Sequence, residues 1–186
     1  MGRAARINAE RRAESLSHLA IGVQVPWNAG WSSEEEYDVR PCRWVGGRLA
    51  LWSPSRQGEG RPVFAKPHMV RQRQSVAQLL CTVCGKHTPT DDRWWFRLGH
   101  AQEGFFMTTE APVHHACATH ALKVCPHLRG RADELERFPK DYVVLSALVG
   151  GPATDRDFCV AIAGRKVIGH LKLAWPLHAF EMKPKQ

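Results

Sequence analysis

The alternation of apolar and polar positions is clearest near the C-terminal end. Val167, Leu171, Leu173 and Trp175 fall on one face of an extended chain and His170 and Lys172 on the other, which predicts a half-buried strand. Two apolar runs precede it, DYVVLSALV at 141–149 and FCVAIA at 158–163, and AGRK at 163–166 has the composition of a hairpin turn. Together they predict a small antiparallel sheet over 141–175. A helical period replaces the alternation after Pro67. Met69, Val76, Leu79 and Leu80 line one face, Arg71, Gln72, Arg73 and Gln78 fall mostly off it, and the helix runs directly into Cys81.

Between these regions, RWWFRL at 93–98 and GFFMTTE at 104–110 are β-rich runs joined by the polar GHAQEG, which predicts a hairpin. A helix is expected over HHACATHALKVC, 114–125, and a short one over ADELERF, 132–138, ended by Pro139. Residues 23–64 are rich in loops, with a hairpin expected where RWVGGRLALW turns at Gly46-Gly47 and a loop over SPSRQGEGRP, 53–62. Trp27, Trp31, Trp44 and Trp52 read as packing residues rather than as stacking platforms for bases. Residues 3–20 carry Arg3, Arg6, Arg11 and Arg12 over a thin apolar stripe, the pattern of a loosely docked basic arm. The expected organisation is an arm at 1–22, then one α+β domain over 23–186 with a metal unit at 67–128 and antiparallel strands at 141–175.

Composition sharpens this picture. A chain of 186 residues, 44% of them hydrophobic, can bury roughly 70% of the surface it exposes when unfolded, and so can fold without disulfides or a metal. Its formal charge of +8 favours anionic partners. The six cysteines are Cys42, Cys81, Cys84, Cys117, Cys125 and Cys159. The first twenty residues contain no apolar stretch of the kind an export signal needs. Glu10 and Glu14 interrupt the arginines that a mitochondrial presequence would keep free of acids. No run approaches the ~18 apolar residues of a membrane span. The expected location is the cytoplasm, where clustered cysteines bind metal more often than one another.

Cys81-Thr-Val-Cys84-Gly85 is the strongest motif. Glycine after the second cysteine lets the backbone fold back, so that two thiolates converge on one ion. With 29 residues between it and Cys84 comes His114-His115-Ala-Cys117, with His114 and Cys117 three apart at a helix start, where i and i+3 share a face. Cys81, Cys84, His114 and Cys117 thus form a four-coordinate set for structural Zn2+. His115 would make an i, i+2 pair with Cys117 and point away, His120 lies a turn deeper, and Cys125 lies about 12 Å further along the axis. Cys125, Cys42 and Cys159 read as small core residues. Knuckle, hairpin, then a helix carrying the last two ligands is the layout of a treble-clef zinc finger.

The segments VPW (25–27), HMVRQRQSVAQLLCTVCG (68–85), FFMTTEAPVHHACA (105–118) and CPHL (125–128) carry a resemblance to a group of small proteins of actinobacteria and their phages. Those proteins usually show Cys-x-x-Cys where this chain has His114-His115-Ala-Cys117. The resemblance spans about residues 23–175 and implies the metal site, with His114 standing in for a cysteine. It implies no activity.

Four ligands close a zinc site, and closed sites are structural. The His-x-Glu and Pro-Cys-x-x-Cys pattern of zinc deaminases and the His-Glu-x-x-His of zinc proteases are absent. An HNH-type nuclease on a treble-clef frame is the enzymatic alternative, with His100, His115 and His120 as histidine candidates and Asp91 and Asp92 as carboxylates. It lacks an Asp-His pair at the end of the first hairpin strand. Binding of DNA or RNA is the preferred expectation. Arg71, Arg73, Arg93, Arg97, Lys123 and Arg129 are the leading phosphate contacts. Lys86, Arg131, Arg165, Lys166, Lys172 and Lys183 add positive charge, and Trp94 or Trp95 could stack on a base. A protein partner in a phage-related accessory role is the remaining possibility.

Overall fold

A computed structural model describes residues 19–98, 104–149 and 164–176. The basic arm, most of the GHAQEG turn with His100, the FCVAIA run with Cys159, and Lys183 lie outside the described residues. In chain order the elements are β1 (Ala29–Trp31), β2 (Asp38–Pro41), β3 (Leu49–Trp52), β4 (Pro62–Pro67) and helix α1 (Met69–Gln78). They are followed by β5 (Trp94–Phe96), β6 (Phe105–Thr108), helix α2 (His115–Val124), β7 (Leu135–Arg137), β8 (Val143–Leu148) and β9 (Ile168–Pro176). The class is α+β, as expected.

Strand β9 organises the main sheet. Antiparallel β8 covers one edge of it from Ile168 to Ala174. The opposite edge is shared: β3 meets it in parallel at Ile168 and β6 meets it antiparallel from Leu173 to Pro176. The sheet is therefore mixed rather than purely antiparallel, and it recruits β2 and β3 from the N-terminal half. The expected apolar face is buried, with Val167 just before β9 and Leu171, Leu173 and Trp175 within it, but Ile168 and Ala174 on the other face are buried as well. Trp175 anchors an aromatic cluster, meeting Trp95 edge-on at 4.6 Å and Phe138 at 5.4 Å between ring centroids.

Helix α1 departs most from its sequence pattern. Arg71, Gln72, Arg73, Ser75 and Val76 are its buried residues, so the polar side that the pattern placed away from the core faces into it. The cause is the gap between β3 and β6 on the shared edge of β9, where backbone groups would otherwise be buried without partners. Gln72 fills that gap like a strand residue. Its Oε1 accepts from Leu171 N–H at 3.1 Å, and its Nε2 donates to the carbonyls of Leu171 at 2.8 Å and Thr109 at 2.6 Å. Arg73, fully buried, donates to the carbonyls of Gly169 at 2.6 Å and of Leu51.

Arg71 forms a two-pronged ion pair with buried Glu34, at 2.8 and 2.7 Å. The same carboxylate accepts the N–H of Trp31 at 2.9 Å and of Arg56 at 2.8 Å. His68 caps the helix: its Nδ1 accepts Arg71 N–H at 3.3 Å. Its Nε2 lies 3.0 Å from the Pro54 carbonyl, which can only accept, so the proton sits on Nε2 and the ring is the neutral tautomer.

Three further expectations change. The Gly46-Gly47 hairpin exists, but its first arm is β2; Trp44 and Val45 belong to a 3-10 turn that ends with Gly46 in the left-handed region. ADELERF is a 3-10 turn at Ala132–Glu134 followed by strand β7. The hairpin expected between 93–98 and 104–110 is not formed among the described residues: β5 pairs with β7, and β6 pairs with β9. Both runs have strong β character, but their preferred neighbours lie far away in sequence, where burial of Trp95 and Phe106 around Trp175 outweighs a local pairing.

Candidate metal centre

Helix α1 stops at Gln78 because Leu79 adopts a left-handed conformation, φ 52°. For a leucine this costs about 1–2 kcal/mol, and it is held by the core on one side and by Thr88 on the other. Thr88 donates both its N–H, at 3.0 Å, and its hydroxyl, at 2.7 Å, to the Leu79 carbonyl. The turn delivers the chain into the knuckle. Cys81 N–H donates to the Lys86 carbonyl and Gly85 N–H to the Cys81 carbonyl, both at 2.8 Å. Gly85 has φ +75°, and a Cβ there would stand 2.6 Å from the Trp27 ring. Gly85→Ala is therefore expected to weaken metal affinity by at least tenfold, read by competition with a chromophoric chelator, because both backbone strain and the Trp27 clash open the knuckle.

The other two candidate ligands come from the start of α2. His114 is its N-cap residue but does not cap with its side chain. Asp92 does that work, its Oδ1 accepting His115 N–H at 2.9 Å and Trp94 Nε1–H at 3.1 Å. His114 is thereby free to turn inward. Its Nε2 lies 3.0 Å from the His87 carbonyl, which fixes the proton on Nε2 and leaves the Nδ1 lone pair facing the sulfurs. Nδ1 stands 3.4 Å from Cys84 Sγ and 3.8 Å from Cys117 Sγ, and all four donor atoms lie within 4.8 Å of one another. Donors tetrahedrally bound to one zinc-sized ion stand about 3.6 Å apart, so the four residues fit an ion and could hold one.

The electrostatics of the group also fit a cation. Burial pushes the Cys81 thiol up, against the pull of the Cys84, His114 and Val83 amides directed at its sulfur. Burial, and then the neighbouring Cys81 and Cys84 sulfurs, raise the Cys117 thiol far above the usual range. Three sulfurs this close cannot share negative charge without a positive centre among them. Around them, Cys81, Val83, Val113 and Ala118 form a small core with Trp94 and Phe96 against it. The VPW segment closes one side: Trp27 N–H donates to the Val83 carbonyl at 2.8 Å and Asn28 N–H to the Thr82 carbonyl at 3.1 Å.

The remaining candidates are scattered. His115 is exposed and lies on Trp94, ring centroids 4.6 Å apart. His120 Nε2 is 2.6 Å from the Val23 carbonyl, and Cys125 ends α2 half-buried. The nuclease candidates His115, His120, Asp91 and Asp92 form no second metal-ligating group among the described residues. Of the expected phosphate contacts, Arg71 and Arg73 are removed from any solvent-facing surface by their burial. Arg93 is half-buried on the Thr88 carbonyl, Arg97 pairs with Glu136 at 3.3 Å, and Lys123 and Arg129 are exposed.

Sequence patterning missed Glu34, His68 and Gln72. Glu34 opens an acidic triplet, Glu34-Glu35-Glu36, that looks like solvated surface. The shortage of apolar residues in the middle of α1 was the available signal. Among the described residues no helix is long and apolar enough to cross a membrane. Comparison of the chain with protein-family models, with curated proteins and with solved structures finds no match.

Proposed function

We propose that the chain is a zinc-stabilised, non-catalytic protein that binds nucleic acid. The observation that carries the metal is the orientation of His114, whose Nε2–H is engaged by the His87 carbonyl while Nδ1 faces the sulfurs of Cys84 and Cys117. Three thiolates and one imidazole are a donor set selective for zinc over the harder magnesium and calcium. With four protein donors the ion has no position left for water or substrate, and its part is to hold the knuckle against α2.

The nucleic-acid reading is supported by the net charge of +8 and by Lys86, Lys123 and Arg129, exposed on or beside the two metal-bearing segments. Cations of this kind neutralise phosphates and release counterions. Purified protein is expected to contain about one zinc per chain, and its affinity for a fluorescent oligo-dT is expected to fall steeply between 50 and 200 mM salt, by about tenfold or more. A flat salt profile, or no binding at low salt, removes the nucleic-acid reading and leaves the metal site in place.

A further inference from the structure

A cleft of about 670 Å³ lies between the knuckle, β6 and the C-terminal end of α2, a volume typical of small-ligand sites. The knuckle residues Thr82 and Val83 form one wall, so the metal centre helps to shape it. Much of the lining is apolar, with Phe64, Phe96, Leu98 and Met107 among it. Phe64 and Leu98 remain 61% and 54% exposed, large apolar surfaces left in water beside a concave site.

Glu110 is the only carboxylate among the lining residues, and Lys172 the only ammonium. Asn28 lies beside Glu110, its Nδ2 donating to Oε2 at 3.4 Å. Asn28 is itself pinned through its backbone, which donates to Thr82 and accepts His68 N–H at 2.7 Å. Glu110 is an exposed residue of the cleft, and the protein packed around its carboxyl pushes it above the ordinary range, with Asn28 opposing. A carboxylate so placed gains most from a ligand that brings N–H donors of its own.

Among nucleobases, guanine alone presents two adjacent donors, N1–H and N2–H, on its pairing edge. Their spacing matches the two oxygens of a carboxylate. Adenine and cytosine offer one amino group next to an acceptor nitrogen, and thymine one N–H between two carbonyls that would repel Glu110. Aromatic and thioether walls suit the faces of a planar base, and Lys172 suits its phosphate. The overall charge of +8 disfavours a cationic ligand in place of a nucleotide.

We propose that this cleft holds a guanine base presented by single-stranded nucleic acid, with Glu110 accepting N1–H and N2–H and Lys172 meeting phosphate. The proposal rests on the nucleic-acid reading and adds the base.

The test uses the zinc-loaded full chain and fluorescence anisotropy with three decamers: oligo-dT, the same strand with one central dG, and the same strand with inosine there, which lacks the 2-amino group. The dG strand is expected to bind about tenfold tighter than oligo-dT, with inosine between. Glu110→Gln, with zinc content unchanged, is expected to erase the difference, whereas Phe64→Ala weakens all three strands by about tenfold. Equal binding of the three strands by the wild-type protein overturns the guanine site and leaves nucleic-acid binding standing. Fluorescent 5′-GMP is run beside the strands; its binding without that of any strand supports the guanine site and overturns its presentation by a strand. No binding of any probe overturns both. The inosine comparison needs no variant, so the proposal is tested even if Glu110→Gln fails to fold.

Discussion

Cys81→Ser is expected to lower the metal content from about one ion per chain to near zero and to destabilise the fold by several kcal/mol, given the ~10–16 kcal/mol that structural zinc contributes in small fingers. Cys81 is fully buried and sits where the knuckle, the start of α2 and the VPW segment meet. Loss of its thiolate leaves a hydroxyl facing two sulfurs that still repel. The carbonyls of Thr82 and Val83, which hold Asn28 and Trp27, lose their fixed position as well. Elemental analysis and thermal denaturation with and without a chelator check both parts. Cys125→Ser, at the far end of α2, is the control and is expected to retain the metal. A Cys81→Ser protein that keeps stoichiometric metal and melts normally excludes this ligand set.

The second large effect is expected at the buried ion pair. Arg71→Met leaves the Glu34 carboxylate without its countercharge in a site closed to solvent, a loss of about 3–5 kcal/mol in chemical denaturation. Adding Glu34→Gln is expected to recover part of that loss, since the neutral amide still accepts one of the two backbone N–H groups that Glu34 holds, so the double variant is less damaged than the sum of the singles.

The same cluster gives the stability a direction in pH. Burial pushes Glu34 up, but the Arg71 hydrogen bonds, the charge His68 carries once protonated and the charge of Arg71 outweigh it and hold the carboxyl below its ordinary value of 4.5. Its stabilisation is present above that value and is lost as pH falls through the lowered one. Burial, then Arg71, depresses His68 below 6.5. Its contribution is complete above 6.5 and declines on acidification below it, as the unfolded chain takes up the proton first. A second proton would go to Nδ1, where it would meet Arg71 N–H and break the helix cap. Denaturant midpoints measured from pH 8 to about pH 2 are therefore expected to fall in two stages, the first below about 6.5 and the second below about 4.5; Arg71→Met should flatten the second.

How much the sequence could say differs from element to element. β9 was legible because one face of it meets the core along its whole length, so the period of two survives in the text. The grouping of Cys81, Cys84, His114 and Cys117 was legible for a similar reason: the knuckle and the first turn of α2 are local structures, and a set that could hold a metal ion demands fixed residue types at fixed spacing. Helix α1 was legible as a helix, but its buried face was not. Its buried side chains are polar because they complete the backbone pairing of β9, about 100 residues away, and patterning assigns polar residues to water. The β5–β6 hairpin failed similarly, since adjacency in sequence favoured a pairing that burial around Trp175 outweighed.

The sequence by itself determined what a local pattern records: the knuckle, the helix that carries His114 and Cys117, the apolar face of strand β9 and the positive balance. Tertiary structure alone decided which strands share an edge of β9. That choice drew Arg71, Gln72 and Arg73 out of solvent, and the packing of β6 near the knuckle placed Glu110 and Asn28 in one cleft. The physical reason is that a buried backbone group must find a partner wherever the fold leaves it, and no local pattern records where that is.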